Sequence, residues 1–125
     1  MRAVVLTGIG KHFTAGLDLS SAMEIGQLKE DGQSDPARAA YKFFDVVAPL
    51  QQAVSSLEKV RVPVIAAIHG FCIGAGVDLA SACDIRLCAS DAKFAIKEVD
   101  IGLAADIGTI QRFQKVVANG SWARE

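Results

Sequence analysis

The sequence is organised around one stretch, residues 70–106, which reads GFCIGAGVDLASACDIRLCASDAKFAIKEVDIGLAAD. Three carboxylates, Asp78, Glu98 and Asp106, lie in it among apolar residues, glycines and alanines. Burying one such group costs several kcal/mol unless it is paired, hydrogen-bonded or neutralised by a shifted pKa. We therefore predict that at least two of the three carboxylates carry out chemistry.

A structural role is the alternative for these groups, since carboxylates also form ion pairs and cap helices. Asp106, which precedes Ile107, has the position of an N-terminal helix cap. Two further acids, Asp18 and Asp100, are expected to take no part in proton transfer. The pattern places Asp18 in a bend and Asp100 in a turn.

Composition excludes several classes of function. With 125 residues and a hydrophobic fraction of 51%, the chain is one globular domain at most. Its net charge of −1 provides no excess of positive charge for binding nucleic acid or an anionic membrane. No apolar run approaches the roughly 18 residues of a membrane span, and the start, MRAVVLTG, is too short for a signal peptide. Cysteines that are odd in number and lack CxxC spacing indicate reduced, buried thiols in an intracellular compartment.

The first half of the chain is predicted to contain two strands and a long helix. Apolar runs at residues 3–6 and 64–68 do not alternate with polar residues, which is typical of interior strands. Asp35 and Pro36 open the helix, and Pro49 inside it should kink or split it. One face of this helix carries an apolar stripe that we interpret as core packing: Phe43, Val47, Leu50, Val54 and Leu57.

The second half is predicted to contain two shorter helices and a strand between them. The first helix runs from Gly74 to about Cys83, and a strand covers residues 85–88. The last helix opens at residues 106–109, and its predicted apolar face is made of Ile110, Phe113, Val116 and Val117.

Two glycine-containing segments are suited to close approach of a ligand. Backbone donors at the N-terminus of the helix after Gly74 attract a developing negative charge. Gly16, in the bend FTAGLDL at residues 13–19, allows the backbone to approach a ligand, although a plain strand-to-helix turn is the alternative. Neither segment has the GxxxxGK[ST] or GxGxxG spacing of a nucleotide site.

Two motifs then resemble one known family. Residues 63–103, PVIAAIHGFCIGAGVDLASACDIRLCASDAKFAIKEVDIGL, closely resemble the crotonase (enoyl-CoA hydratase/isomerase) superfamily, and FTAGLDL resembles the family's earlier F-x-A-G-x-D motif. The resemblance implies an α/β fold, a spiral of ββα units, truncated at both ends relative to the family. On this basis residues 1–125 form a partial acyl-CoA-binding core domain without the C-terminal trimerisation helices.

The resemblance also implies how a thioester is held. The matching positions for the two backbone N–H groups that bind the thioester oxygen are Ala15 and Ala75. The residues implied to line the CoA side are Ala15, Gly16, Leu17, Asp18 and Leu19. Many members have glycine where this chain has Ala75, but the backbone donor is the same.

The carboxylates distinguish the branches of the family. Hydratases of the family have glutamates at the positions of Asp78 and Glu98 and a small residue at the position of Asp106. The present trio is more similar to that of Δ3,5-Δ2,4-dienoyl-CoA isomerases. This similarity implies proton transfer between C2 and C6 of a 3,5-dienoyl-CoA in fatty-acid β-oxidation. Glu98 and Asp106 would be the base and the acid, and the sequence leaves open which of them serves C2 and which serves C6. Asp78 would lie nearby and either hydrogen-bond to its neighbour or raise the pKa of that neighbour by like-charge coupling, which would keep one group protonated near neutral pH.

The resemblance carries further expectations about partners. The substrate is an acyl-CoA thioester, no metal or other cofactor is needed, and family-type trimers or hexamers form if the missing helices are supplied. The compartment is mitochondrial or peroxisomal by resemblance, with no targeting signal in this chain. Two alternatives stay open: an enoyl-CoA hydratase, or an inactive truncated member that only associates with full-length partners.

Overall fold

The protein is described here by a computed structural model that covers residues 1–18 and 35–117. Its regular elements in chain order are β1 (Val4–Thr7), α1 (Pro36–Lys59), β2 (Val64–Ile68), β3 (Phe71–Ile73), α2 (Ala75–Ala82), β4 (Ile85–Cys88), β5 (Lys93–Ala95), one 3-10 turn (Val99–Ile101) and α3 (Thr109–Val116). The predicted helices and the strands at 64–68 and 85–88 are thereby confirmed.

The strands form two parallel sheets that repeat one pattern. The first sheet has the order β1-β2-β4, and the second pairs β3 with β5. Thr14 adds a parallel bridge to Cys72 on β3, so it takes the place in the second sheet that β1 takes in the first. The chain thus passes three times through one strand of each sheet and then a helix. This is the spiral of ββα units that the sequence predicted.

The core lies around the central strand β2. Val64, Ala66 and Ile68 on this strand are buried, and α2 packs Val77 and Ala80 into the same cluster. Alternate residues of β2 are fully buried because one face of the strand lies against the helices. Packing in the core therefore fixes the position of β2, the strand that leads into β3 and α2.

The predicted interior position of the first strand is wrong. β1 lies at the edge of its sheet, with β2 as its neighbour. Along β1, half-buried and exposed residues alternate, and Val5 is 62% exposed. An apolar run does not distinguish a strand with two covered faces from a strand that turns one apolar face outward.

Helix α1 begins as predicted and is longer than its proline suggested. The Asp35 side chain accepts a hydrogen bond from the Ala37 N–H, and Pro36 is the first helical residue. The helix continues through Pro49, so it is not split there, and the alternative of a kink stays a prediction. Buried Val47 and Val54 on either side of the proline hold the helix against the rest of the molecule, which offsets the lost backbone hydrogen bond. No helix in residues 1–18 and 35–117 has the length and apolarity needed to cross a bilayer.

The last helix and one cysteine differ from expectation. α3 begins at Thr109, with Gly108 at its N-cap and no side-chain cap, so Asp106 does not cap it. Ile110, predicted on its apolar face, is 57% exposed, whereas the polar residue Arg112 is buried. Cys88 is exposed, unlike the expected buried thiols.

Candidate active site

The two predicted backbone donors are brought together by the second sheet. Thr14 accepts from the Ile73 N–H at 3.2 Å and donates to the Phe71 carbonyl at 3.0 Å. Ala15 therefore follows directly from a segment that runs beside β3, and Ala75 follows β3 as the first residue of α2. An N–H in the first turn of a helix has no partner within the helix. Neither Ala15 N–H nor Ala75 N–H donates to any residue in the described part of the chain.

Glycines allow this close approach. A side chain at Gly76 would overlap Cγ2 of Thr14, so only glycine lets α2 pack against the segment that carries Ala15. Gly74 has φ +54°, in the left-handed region, and turns the chain from β3 into α2. A Cβ at Gly74 would lie 3.1 Å from Oε1 of Glu98. Gly74 thus allows a carboxylate to approach the start of the helix.

A cavity of about 380 Å³ lies at this junction. Ala15, Gly16, Leu17 and Ala75 line it, and the acidic residues Glu98 and Asp106 line it as well. Its apolar wall is made by Phe43, Val47, Leu50, Leu103 and Ile107. Two acids therefore share one largely apolar space with the two backbone segments that the sequence singled out.

The sequence did not predict that α1 forms part of the cavity wall. The apolar stripe of this helix was interpreted as core packing, and this holds for buried Val54 and for Leu57, which packs on the core. Phe43 and Leu50 instead line the cavity, and Val47 is both buried and part of the cavity wall. The helix extends about five turns before Val54, beyond the small core described above. That extra length is the signal that could have indicated a second role.

Glu98 is half-buried and has a raised pKa. It follows β5 and starts the 3-10 turn, where its carbonyl accepts from the Leu103 N–H at 2.9 Å. Burial is the main cause of the raised pKa, and the negative charges of Asp78 and Asp106 add to it. Oε2 of Glu98 is buried and has no hydrogen-bond partner among the described residues. The site therefore holds the proton of Glu98 more tightly than water holds that of a free glutamate.

Asp106 enters the cavity from the loop before α3. Its side chain is half-buried, and its carbonyl accepts a hydrogen bond of 2.9 Å from Nε2 of Gln51 on α1. Glu98 and Asp106 thus reach the same space from two separate segments, one after β5 and one before α3.

Asp78 lies behind the cavity and is not among the residues that line it. It is 1% exposed, on the first turn of α2, and its Oδ1 accepts from Oγ1 of Thr109 at 2.7 Å. Burial raises the pKa of Asp78, whereas the Thr109 hydroxyl, the backbone N–H groups of Gly108 and Thr109, and Arg112 oppose that rise. Its Oδ2 has no partner among residues 1–18 and 35–117. Its negative charge is nevertheless among the causes that raise the pKa of Glu98.

The remaining predicted residues are placed as follows. Asp18 is exposed at the end of the first described segment, and Leu19 lies outside the described residues. Asp100 forms an exposed ion pair of 2.7 Å with Lys97. Within the ranges that the structure describes, no three His, Cys, Asp or Glu side chains are grouped as metal ligands.

The whole of this sequence matches one family. Residues 1–124 match the family described as Enoyl-CoA hydratase/isomerase, and the chain belongs to that family. The chain is 54% identical over 125 residues to a Pongo abelii protein named mitochondrial Δ(3,5)-Δ(2,4)-dienoyl-CoA isomerase. It is 47% identical over 114 residues, 91% of this chain, to an Arabidopsis thaliana protein of the same name designated peroxisomal.

A solved structure agrees in fold. A Thermobifida fusca protein classed as an enoyl-CoA hydratase, in complex with acetoacetyl-CoA, superimposes with a TM-score of 0.74 at 36% identity. The match covers 93% of this chain and 45% of that one. The Pongo abelii match covers 99% of this chain but 37% of that relative, and the Arabidopsis thaliana match covers 41% of its relative. The chain thus spans about two fifths of the length of these curated relatives.

Proposed function

We propose that this chain forms the acyl-CoA-binding and proton-transfer part of a Δ3,5-Δ2,4-dienoyl-CoA isomerase. The observation that carries the proposal is that Glu98 and Asp106 line one cavity together with Ala15 and Ala75. The 54% identity to a protein with that name supports the choice within the family. No metal or redox cofactor enters the proposed reaction, since it consists of proton transfers and coenzyme A is part of the substrate.

The backbone donors would bind the thioester oxygen. Loss of the C2 proton from a 3,5-dienoyl thioester places negative charge on that oxygen and along the conjugated chain. Two fixed N–H groups, those of Ala15 and Ala75, would stabilise the enolate because they require no reorganisation as the charge develops. Removing one such donor typically costs about 10²–10³-fold in rate.

The two acids would move the proton between the ends of the diene. One carboxylate takes the proton from C2, and the electron pair shifts the double bonds from positions 3 and 5 to positions 2 and 4 as the other acid protonates C6. One acid must therefore be protonated at the start. The raised pKa of Glu98 makes it the better candidate for the acid that starts protonated. After one turnover the two acids have exchanged protonation states, and exchange with solvent restores them.

The hydratase alternative is less well supported. A hydratase needs a water held between two acids at the positions of Asp78 and Glu98. Asp78 is hydrogen-bonded to Thr109 and does not line the cavity, so the pair that faces the open space is Glu98 with Asp106. The structural neighbour classed as a hydratase is 36% identical to this chain.

The variant Asp106→Asn tests the proposal. Conversion of a 3,5-dienoyl-CoA is followed by the ultraviolet absorbance of the conjugated 2,4-dienoyl product, and hydration of a 2-enoyl-CoA by the loss of enoyl absorbance. We expect Asp106→Asn to lower kcat for isomerisation by about 10²–10⁴-fold, because an amide cannot transfer the proton. Asp100→Asn, an exposed acid that forms an ion pair with Lys97, is the matched control and should retain activity.

Three outcomes separate the alternatives. Isomerisation that survives Asp106→Asn contradicts the proposal. Turnover of 2-enoyl-CoA that is insensitive to this variant supports a hydratase instead. If the purified chain is inactive and activity appears on mixing it with a full-length relative, the result supports an inactive family member that only associates with full-length partners. Family-type trimers or hexamers are part of the proposal, as is a mitochondrial or peroxisomal compartment like those in the names of the relatives.

A further inference from the structure

A row of polar side chains on α1 faces the loop that carries Asp106. Gln51, Ser55 and Glu58 are spaced by four and three residues, so they share one face of the helix. This row lies beside the apolar stripe, whose members Val47 and Leu50 line the cavity. No role for these polar residues follows from the sequence pattern. The structure shows what each of them contacts.

The contacts tie the loop to α1 at two carbonyl groups. Nε2 of Gln51 donates directly to the Asp106 carbonyl at 2.9 Å. The second tie runs through Arg112, which is 7% exposed and donates to the Gly108 carbonyl at 3.2 Å. The same guanidinium donates to Ser55 Oγ at 2.9 Å and to both carboxylate oxygens of Glu58 at 2.9 and 2.6 Å. Two carbonyls, two residues apart, are therefore fixed from one helix.

The loop needs such ties because little regular structure holds it. Residues 104–108 precede α3, and the N-cap residue Gly108 has no side chain to close the helix. One backbone hydrogen bond of 3.3 Å, from Ile110 N–H to the Ala105 carbonyl, links the loop to α3. Where the Asp106 carbonyl is held, the Cα from which the carboxylate extends is held as well. The bond from Gln51 acts on the residue whose side chain lines the cavity.

We propose that Gln51 is a positioning residue, which holds Asp106 in the geometry for proton transfer through a hydrogen bond to its main chain. The inference rests on the proposed function, since it concerns the same carboxylate. Gln51 is not among the residues that line the cavity and so acts through Asp106. The Gly108 end of the loop is held by Arg112 together with Ser55 and Glu58. The Asp106 carbonyl is held by Gln51. Displacement of a reacting group by about 1 Å can cost about 10²-fold in rate.

The test is a double-mutant cycle between Gln51→Leu and Asp106→Asn, assayed with a 3,5-dienoyl-CoA. Leucine removes the donor without shortening the side chain severely. We expect Gln51→Leu to lower kcat by about 10- to 100-fold with KM changed less than about 2-fold. In the Asp106→Asn background, Gln51→Leu should lower kcat no further, because the group that it positions is already inactive. Gln51→Met is a second donor-free variant of similar length.

The matched control is Gln52→Leu, the same exchange one position along α1, at an exposed glutamine. It should leave kcat unchanged. An equal loss from Gln51→Leu in both backgrounds, or no loss in the parent, overturns the inference. Full activity of Asp106→Asn is a different result, which contradicts the proposed function. In that case a crystal structure of Gln51→Leu decides the positioning: a displaced Asp106 carboxylate supports it, and an unmoved one overturns it.

Discussion

Thr109 is the side chain that hydrogen-bonds to Asp78, the most deeply buried acid among residues 1–18 and 35–117. Its hydroxyl lies 2.7 Å from Oδ1 of Asp78, and the two residues are 3% and 1% exposed. Replacing Thr109 by valine keeps the shape of the side chain and removes the donor. The backbone N–H groups of Gly108 and Thr109 remain near the carboxylate. The variant therefore isolates one short hydrogen bond in a site that water does not reach.

The expected loss depends on the charge of Asp78. A hydrogen bond to a charged group contributes about 1.5–3 kcal/mol to stability and one between neutral groups about 0.5–1.5 kcal/mol. Burial raises the pKa of Asp78, so the folded protein binds its proton more tightly than the unfolded chain. That contribution to stability is fully present below the unfolded pKa and is lost as pH rises through the folded pKa. The hydroxyl opposes the rise in pKa, so its removal makes the loss on raising the pH larger.

Urea unfolding followed by circular dichroism measures this loss. We expect Thr109→Val to lower the free energy of unfolding by about 1.5–3 kcal/mol at about pH 8 and by about 0.5–1.5 kcal/mol at about pH 4. Thr109→Ser, which keeps the hydroxyl, should show no such pH dependence. Thr7→Val is the surface control, because the Thr7 hydroxyl donates to the Ala67 carbonyl at 3.0 Å in an exposed position. Equal losses at both pH values, or a loss at Thr7 as large as that at Thr109, would refute the reasoning.

Two further predictions follow from the packing around the cavity. Asp78→Asn should lower the pKa of Glu98, because it removes one of the like charges that raise it. A carbon-13 NMR titration of the glutamate carboxyl groups, with the Glu98 signal assigned from Glu98→Gln, measures that pKa. An unchanged pKa of Glu98 in the variant contradicts the prediction. Gly76→Ala should cost about 1–3 kcal/mol of unfolding free energy, because its Cβ overlaps Cγ2 of Thr14. Adding Thr14→Ser, which removes that methyl and keeps the hydroxyl that accepts from the Gly16 N–H, should restore most of the stability; no rescue means that the overlap is not the cause.

Local signals in the sequence account for much of the fold. The Asp35 cap and Pro36 define the start of α1, and the apolar run at 64–68 defines the central strand. These features depend on neighbouring residues, so they can be read from the order of amino acids. The position of β1 at a sheet edge depends on what covers each face of the sheet, and an apolar run of four residues does not carry that information.

The site was only partly predictable. The grouping of Glu98 and Asp106 with Ala15 and Ala75 came from resemblance to a family, since residues far apart in sequence have no spacing that relates them. Gln51 and Asp106, joined by a hydrogen bond across 55 residues, show the same limit.

The apolar periodicity of a helix likewise indicates that one of its faces is covered, but it does not indicate what covers that face. Helix α1 uses one stripe for both purposes: Val54 packs in the core, whereas Phe43 lines the cavity. The pattern alone could not separate a residue that contacts other side chains from one that faces the open space.

The most direct test of the central claim is a crystal structure of the protein with bound acetoacetyl-CoA, the ligand of the Thermobifida fusca neighbour. The account predicts that the thioester oxygen lies about 3 Å from the N–H groups of both Ala15 and Ala75. The carboxyl groups of Glu98 and Asp106 should then lie on either side of the acyl chain. A thioester bound away from the two amides, or one of the two acids turned out of the cavity, would contradict the account.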